Sequence, residues 1–140
     1  MFWKPDVLIC NRWQSAFVHL IYQQIYDSKD FYGKIKTVLT VHSVDEFCNF
    51  SRSAYDKVGV TLPNTFKGDT VNCYEAAGPF ADLIVAVDSP SNDVTSKLLE
   101  LPGIQAHKKK IVSISIDDDE SPNLKATADA LNEELMKHFA

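Results

Sequence analysis

Three polar side chains surround an aromatic one where the first apolar run of this chain ends: Asn11, Arg12 and Gln14 around Trp13, directly after Pro5-Asp6-Val7-Leu8-Ile9-Cys10. Val7 to Cys10 reads as a strand buried on both faces, and the polar tip as an immediate turn into a helix. In an open α/β sheet, ligands are met just past the carboxyl ends of the strands. The tip is therefore the first place to look for chemistry. Asn11 and Gln14 can hydrogen-bond a ligand there or cap the helix and tether the backbone. Arg12 can meet an anion or form a surface ion pair. His42 ends the second strand and faces the same crevice, where it is either a ligand contact or a hydrogen-bonded loop histidine.

The other reactive residue types are scattered. His19 falls mid-helix, and His107 and His138 lie near polar ends; no pair has metal-ligand spacing. Cys10, Cys48 and Cys73 are odd in number, widely separated and without a CxxC, which argues against a disulfide framework or a zinc site and fits a reducing cytoplasm. Cys10 ends an apolar strand and reads as a small core residue. Asp117-Asp118-Asp119-Glu120 lacks the glycine and closing glutamate of a calcium loop and reads as a solvated helix start. Gly33, Gly59, Gly68, Gly78 and Gly103 form no phosphate-binding loop. No residue is singled out as catalytic or metal-ligating, and no cofactor is expected.

The elements that must position the tip follow from periodicity. Trp13, Phe17, Leu20, Ile21 and Ile25 make one apolar stripe on a helix from about Arg12 to Tyr26. Ile35 to Val41 is a second strand, carrying the β-branched Thr37-Val38-Leu39-Thr40-Val41. Residues 43–69 are the least regular part, with a short helix within Asp45 to Tyr55. Asp69 or Thr70 caps a helix bearing Val71, Tyr74, Ala77 and Phe80, which Pro79 kinks or stops. Leu83 to Val87 is the third strand. Ser89-Pro90-Ser91 starts a helix with Val94, Leu98 and Leu101 inward, ended by Pro102-Gly103. Lys110 to Ile116 is the fourth strand, whose alternation of Val112, Ile114 and Ile116 with Ser113 and Ser115 suits a sheet edge or a strand meant to lie under something else. Ser121 caps the last helix with Pro122 in its first position. Leu124, Ala128, Leu131, Leu135 and Phe139 form its inward stripe.

Strands alternating with helices predict a parallel sheet with right-handed crossovers: an α/β, three-layer Rossmann-like half domain of about four parallel strands, with the C-terminal helix packed back on the sheet. Its 140 residues suit one domain, 1–140. With 45% hydrophobic and 24% charged residues, the composition is that of a soluble globular protein. A net charge of −5 leaves no basic surplus for nucleic acid or an anionic membrane, and the Lys108-Lys109-Lys110 run reads as a solvated turn. No run reaches the roughly 18 apolar residues of a membrane span.

In order along the chain, these residues resemble the bacterial glycogen and plant starch synthases. Pro5-Asp6-Val7-Leu8-Ile9 followed by Trp13 is similar to that family's "PD-hydrophobic…HDW" strand. Thr40-Val41-His42-Ser43 resembles its "T-[IV]-H-N" strand end, and Gly59-Val60-Thr61-Leu62-Pro63 its Leu-Gly-Leu-Pro-like turn. Gly68-Asp69-Thr70-Val71-Asn72 resembles "G-x-x-N". Ala81 to Pro90 is similar to "AD-K-[VI]-x-T-V-S-P" with one residue inserted, and Ile111 to Asp117 falls at "N-G-I-D". The resemblance covers residues 5 to 117. It implies the second half of the N-terminal domain of a GT-B glycosyltransferase. Such enzymes move glucose from ADP-glucose to an α-1,4-glucan with retention and without a metal.

The same resemblance implies a sugar or phosphate contact for His42; Asn11 and Gln14, which could still hydrogen-bond a sugar, and Asn72 are the other substrate-binding candidates. The departures from the family pattern imply loss of transfer. His-Asp-Trp-His becomes Asn11-Arg12-Trp13-Gln14, so a histidine is lost and a carboxylate becomes a cation. The Lys-x-Gly-Gly-Leu donor loop and the second domain with its diphosphate clamp have no counterpart in these residues. Two functions are expected as alternatives. One is an inactive or partial homologue that contacts α-glucan or a sugar nucleotide. The other is a non-catalytic assembly module that self-associates or pairs with another subunit through an open sheet edge.

Overall fold

The computed structural model describes residues 4–26, 33–118 and 120–140. A four-stranded parallel sheet is built from β1 (Val7–Asn11), β2 (Lys36–Val41), β5 (Leu83–Asp88) and β6 (Ile111–Ser115), in the spatial order β1-β2-β5-β6. Between β2 and β5 lies a small antiparallel pair, β3 (Asn49–Ser51) and β4 (Thr70–Asn72). The helices are α1 (Ala16–Ile21), α2 (Arg52–Lys57), α3 (Cys73–Ala77), α4 (Val94–Glu100), α5 (Pro102–Gln105) and α6 (Leu124–Phe139).

The strand order explains the layering. Each new parallel strand is added on the same side of the last, and right-handed crossovers then put every connection on one face. The larger core lies on that face. There Ala16 and Leu20 of α1, Tyr74 and Ala77 of α3, Val94 and Leu98 of α4 and Ile104 of α5 pack on Cys10, Leu39, Val41, Ile84 and Ala86. The opposite face carries Val38, Leu83, Val85, Val87 and Ile114. Among the described residues, α6 covers it, through Ala130, Leu131, Leu135 and Phe139. The expected three layers and the returning C-terminal helix are both present. The alternation in β6 has the expected period, and its apolar side faces α6.

Several local expectations are corrected. β1 is not buried on both faces: it is an edge strand, and Ile9 is 44% exposed because α6 does not extend over it. The helix expected over residues 12–26 is three pieces: a 3-10 turn at Trp13–Ser15, α1, and a π-helical turn at Tyr22–Tyr26. The helix expected from residue 69 or 70 starts at Cys73. Thr70-Val71-Asn72 pairs instead with Asn49–Ser51, and the Asn72 side chain caps α3 by accepting from the backbone N–H of Tyr74 (2.9 Å).

Asp93, not Ser89, caps the helix after β5, accepting from Ser96 N–H at 2.8 Å. The last helix is capped by Asn123 rather than Ser121. Leu124 and Ala128 of its expected stripe are exposed, Leu124 at 75%. α6 thus holds the sheet by its C-terminal half. In the acidic run, Asp118 accepts from the backbone of Glu120 and Ser121, while Asp119 lies outside the described residues.

Candidate functional site

The carboxyl ends of β1, β2 and β5 converge on a polar cluster. β1 and β2 pair in register with Asn11 opposite Thr40, which brings the Asn11 side chain over the β2 end. Its carbonyl oxygen accepts from the Thr40 hydroxyl and from His42 Nε2 at 2.8 Å. An amide oxygen can only accept, so His42 Nε2 carries the proton and Nδ1 presents a lone pair. Burial, and then the nearby Arg12 guanidinium, lower the His42 pKa from its ordinary value, so the ring is neutral near pH 7. From the β5 side, Asn92 Nδ2 donates to the His42 carbonyl (3.1 Å), and Lys97 Nζ donates to Asn92 Oδ1 (2.6 Å).

The turn out of β1 is held by backbone strain. Arg12 has φ 65° and ψ 179°, a region that side-chain-bearing residues rarely occupy. Its N–H is tied to Thr40 O at 2.9 Å, and Ser15 Oγ donates to Asn11 O at 2.7 Å. The Asn11 side chain therefore does not cap the following helix, as its position suggested. It links two strand ends, and Ser15 does the tethering. Trp13 joins Phe17, Phe50 and Tyr55 in an aromatic cluster, with its ring centroid 5.6 Å from that of Phe50. It anchors the turn to the core.

Of the four expected contacts, Asn11 and His42 are brought together, and Gln14 is exposed on the adjoining 3-10 turn. Asn72 is elsewhere. It borders an open cleft of about 320 Å³ that neither Asn11 nor His42 lines. The polar groups of that cleft are largely committed to structure. Asp45 caps a turn at Phe47 N–H (2.9 Å), Asn72 caps α3, and Glu75 accepts from Gly103 N–H (2.8 Å). The roomier cleft is thus the less promising site, and the strand tips carry the unspent hydrogen-bonding capacity.

Sequence reasoning passed over Thr40, Asn92 and Lys97. Asn92 could have been found from its place just beyond a strand end, where the chain doubles back in a Ser89–Asn92 bridge.

Asp88, at the β5 tip, serves structure. Burial works to raise its pKa, but hydrogen bonds from the Ser113 hydroxyl and from the Thr95 hydroxyl and N–H (2.6 and 2.8 Å) outweigh it and hold the pKa below the usual value. Burial raises the Cys10 thiol to about 11, so it is no nucleophile. Cys48 and Cys73 meet beside the β3–β4 pair. Their shared hydrogen bond lowers the Cys48 pKa and, with burial, raises that of Cys73. Among the described residues, no group of three or more His, Cys, Asp or Glu side chains could hold a metal ion, and no helix is long and apolar enough to cross a membrane.

The tip thus offers amide donors from Asn11, a lone pair on His42 Nδ1 and the positive charge of Arg12. These can bind hydroxyl or anionic oxygens. Asp88, at the neighbouring β5 end, is already occupied by the Thr95 and Ser113 donors.

Comparison with known proteins adds to this picture. The family model described as "Starch synthase catalytic domain" matches residues 1–97, which include β1 through β5 and the whole tip cluster. Curated glycogen synthases are similar. That of Chlorobium limicola is 33% identical over 87 residues, 59% of this chain and 17% of the relative. That of Chlorobaculum tepidum is 34% identical over 103 residues, 71% of this chain and 20% of the relative. The chain thus spans about a fifth or less of the length of these two relatives.

Proposed function

We propose, from the premise that this chain belongs to the starch synthase catalytic domain family, that it is a GT-B-type N-domain piece. In this reading it contacts α-glucan or the sugar nucleotide ADP-glucose at the tips of β1 and β2 and does not transfer glucose alone. One observation carries the reading: the Asn11–His42 pair, with Arg12 beside it, lies at strand carboxyl ends inside the matched segment.

A retaining transfer from a sugar diphosphate needs positive charge on the leaving group. The charge of Arg12 acts on His42, and Lys97 donates to Asn92. The neutral His42 accepts from a sugar hydroxyl through Nδ1, Asn11 donates to a hydroxyl or phosphate oxygen, and Gln14 lines the rim. The three buried free thiols support a reducing, cytoplasmic setting. The test is incubation of the purified chain with ADP-glucose and glycogen. No glucosyl incorporation is expected, together with saturable binding of maltooligosaccharide or ADP-glucose that His42→Ala weakens. Glucose transfer by the chain alone would overturn the inactive half-site.

A second reading is favoured by a separate observation, that among the described residues the outer edge of β1, like that of β6, has no strand partner. On that reading the chain is a non-catalytic assembly module that uses this edge to pair with another subunit or with itself.

A further inference from the structure

β3 and β4 pair antiparallel, with Asn49 opposite Asn72, Phe50 opposite Val71 and Ser51 opposite Thr70. One step further in the same register, Cys48 comes opposite Cys73. Side chains two apart on a strand share a face, so both thiols fall on the side of Phe50 and Val71, which packs into the larger core. Both cysteines are fully buried there. Residues opposite one another in an antiparallel pair have Cα atoms about 4.5–5.5 Å apart. A disulfide spans about 4.4–6.8 Å between Cα atoms, so this placement is within its reach. The two side chains already share a hydrogen bond. The third cysteine, Cys10, lies on β1.

We propose that Cys48 and Cys73 form a modification site, a dithiol that hydrogen peroxide converts to a disulfide clasp across the ends of β3 and β4. The oxidant enters from the cleft beside the pair. Asn49 and Asn72, the chain neighbours of the two cysteines, line that cleft together with Asp45. Peroxide is close to water in size and reaches the sulfurs through a small local opening.

Cys48 reacts first. Its sulfur accepts from the Cys73 thiol and, more weakly, from the Tyr74 hydroxyl, which is buried and has no nitrogen or oxygen partner among the described residues. These donors favour the thiolate against burial and against the Asp45 carboxylate, whose Oδ1 lies 3.7 Å from the sulfur. The thiolate attacks one peroxide oxygen and the O–O bond breaks. The departing hydroxide takes up a proton as water, and Cys48 becomes a sulfenic acid. Cys73 then gives up its proton, and its sulfur attacks the Cys48 sulfur. The S–S bond forms as the S–O bond breaks, and hydroxide leaves with that proton as a second water. The two thiols lose two electrons and peroxide gains them.

The bond closes residues 49–72 into a loop and so restricts the unfolded chain more than the folded one. In a reducing setting the pair rests as thiols and closes only under oxidant. The site is independent of the sugar-binding reading.

The test treats the full chain with hydrogen peroxide under native conditions, then unfolds and alkylates it with iodoacetamide. Intact mass should show one alkylated cysteine, Cys10, where the untreated chain shows three. Peptide mapping should join Cys48 to Cys73, and dithiothreitol should restore all the thiols. Cys10→Ala should close the same bond and leave nothing to alkylate. The oxidised chain should unfold at a higher urea concentration than the reduced one. Thiols that stay fully alkylatable after oxidation, a bond that involves Cys10, a bond between two chains, or a sulfinic acid on Cys48 in place of the disulfide would each overturn the site. A Cys48–Cys73 bond that leaves the urea midpoint unchanged or lowers it would overturn its role as a clasp.

Discussion

The two sides of the sheet are built to different standards. At β5 the backbone is paired on both sides and both faces are covered. Asp88 is held by Ser113 and Thr95, and α6 lies over Val85, Val87 and Ile114. At β1, an edge strand like β6, Ile9 is exposed, Arg12 sits at φ 65°, and the overlying α1 buries His19, whose ring nitrogens have no hydrogen-bond partner among the described residues. One side has the economy of a finished core. The other holds the strained Arg12 at the strand tip, where binding is proposed, and a buried imidazole in the helix above it. Strain at such places persists only when the surroundings hold it and something is gained by it.

Substitutions should expose this asymmetry. Ile84→Ala, in the closed half, should cost about 2–5 kcal/mol in urea unfolding, whereas Ile9→Ala should cost under about 0.5 kcal/mol in the monomer. Equal losses would erase the contrast.

The pH dependence should reveal the unpartnered imidazole. Burial lowers the His19 pKa from 6.5 to about 4, against smaller opposing effects of the Val38 backbone and the Asp82 carboxylate. The unfolded chain therefore takes the proton first. Stability should be intact above pH 6.5 and fall by about 3 kcal/mol as pH drops from there to 4. His19→Leu should flatten that limb, measured by denaturant midpoints at successive pH values.

Asp88→Asn should cost about 1–3 kcal/mol at pH 7, because three donors lose a charged acceptor. The Asp88 contribution is present above its unfolded pKa and lost as pH falls through the lowered folded value. Arg12→Gly should act in the opposite direction, stabilising by about 1 kcal/mol as the backbone strain is relieved, while weakening ligand binding. Loss of stability in that variant would mean that the turn is not strained.

Much of the fold was legible because it rests on period. Thr37 to Val41 and Leu83 to Val87 are apolar, β-branched runs bounded by turns, and both are central strands. The stripe Leu131, Leu135 and Phe139 was visible for the same reason. What failed depended on partners distant in sequence. Val71 and Tyr74 fit a helical spacing, yet Thr70-Val71-Asn72 is drawn into a strand by Asn49–Ser51, and only pairing decides between the two. Leu124 belongs to the apolar stripe of α6 but finds no sheet beneath it. The one-way strand order, which leaves β1 half covered, has no local signature at all.

The candidate site was half legible. Strand ends pointed to Asn11 and His42, but their mutual hydrogen bond, and the arrival of Asn92 and Lys97 from β5, come from sheet order. Asn72 looked equivalent in sequence and caps a helix.

The most direct measurement is a nitrogen-15 NMR titration of the labelled chain with maltooligosaccharide and with ADP-glucose. At least one ligand should shift the signals of Asn11, Arg12, His42 and Asn92, with His42 remaining neutral at pH 7. Shifts confined to Asp45, Asn49 and Asn72, or none with either ligand, would contradict a binding site at the strand tips.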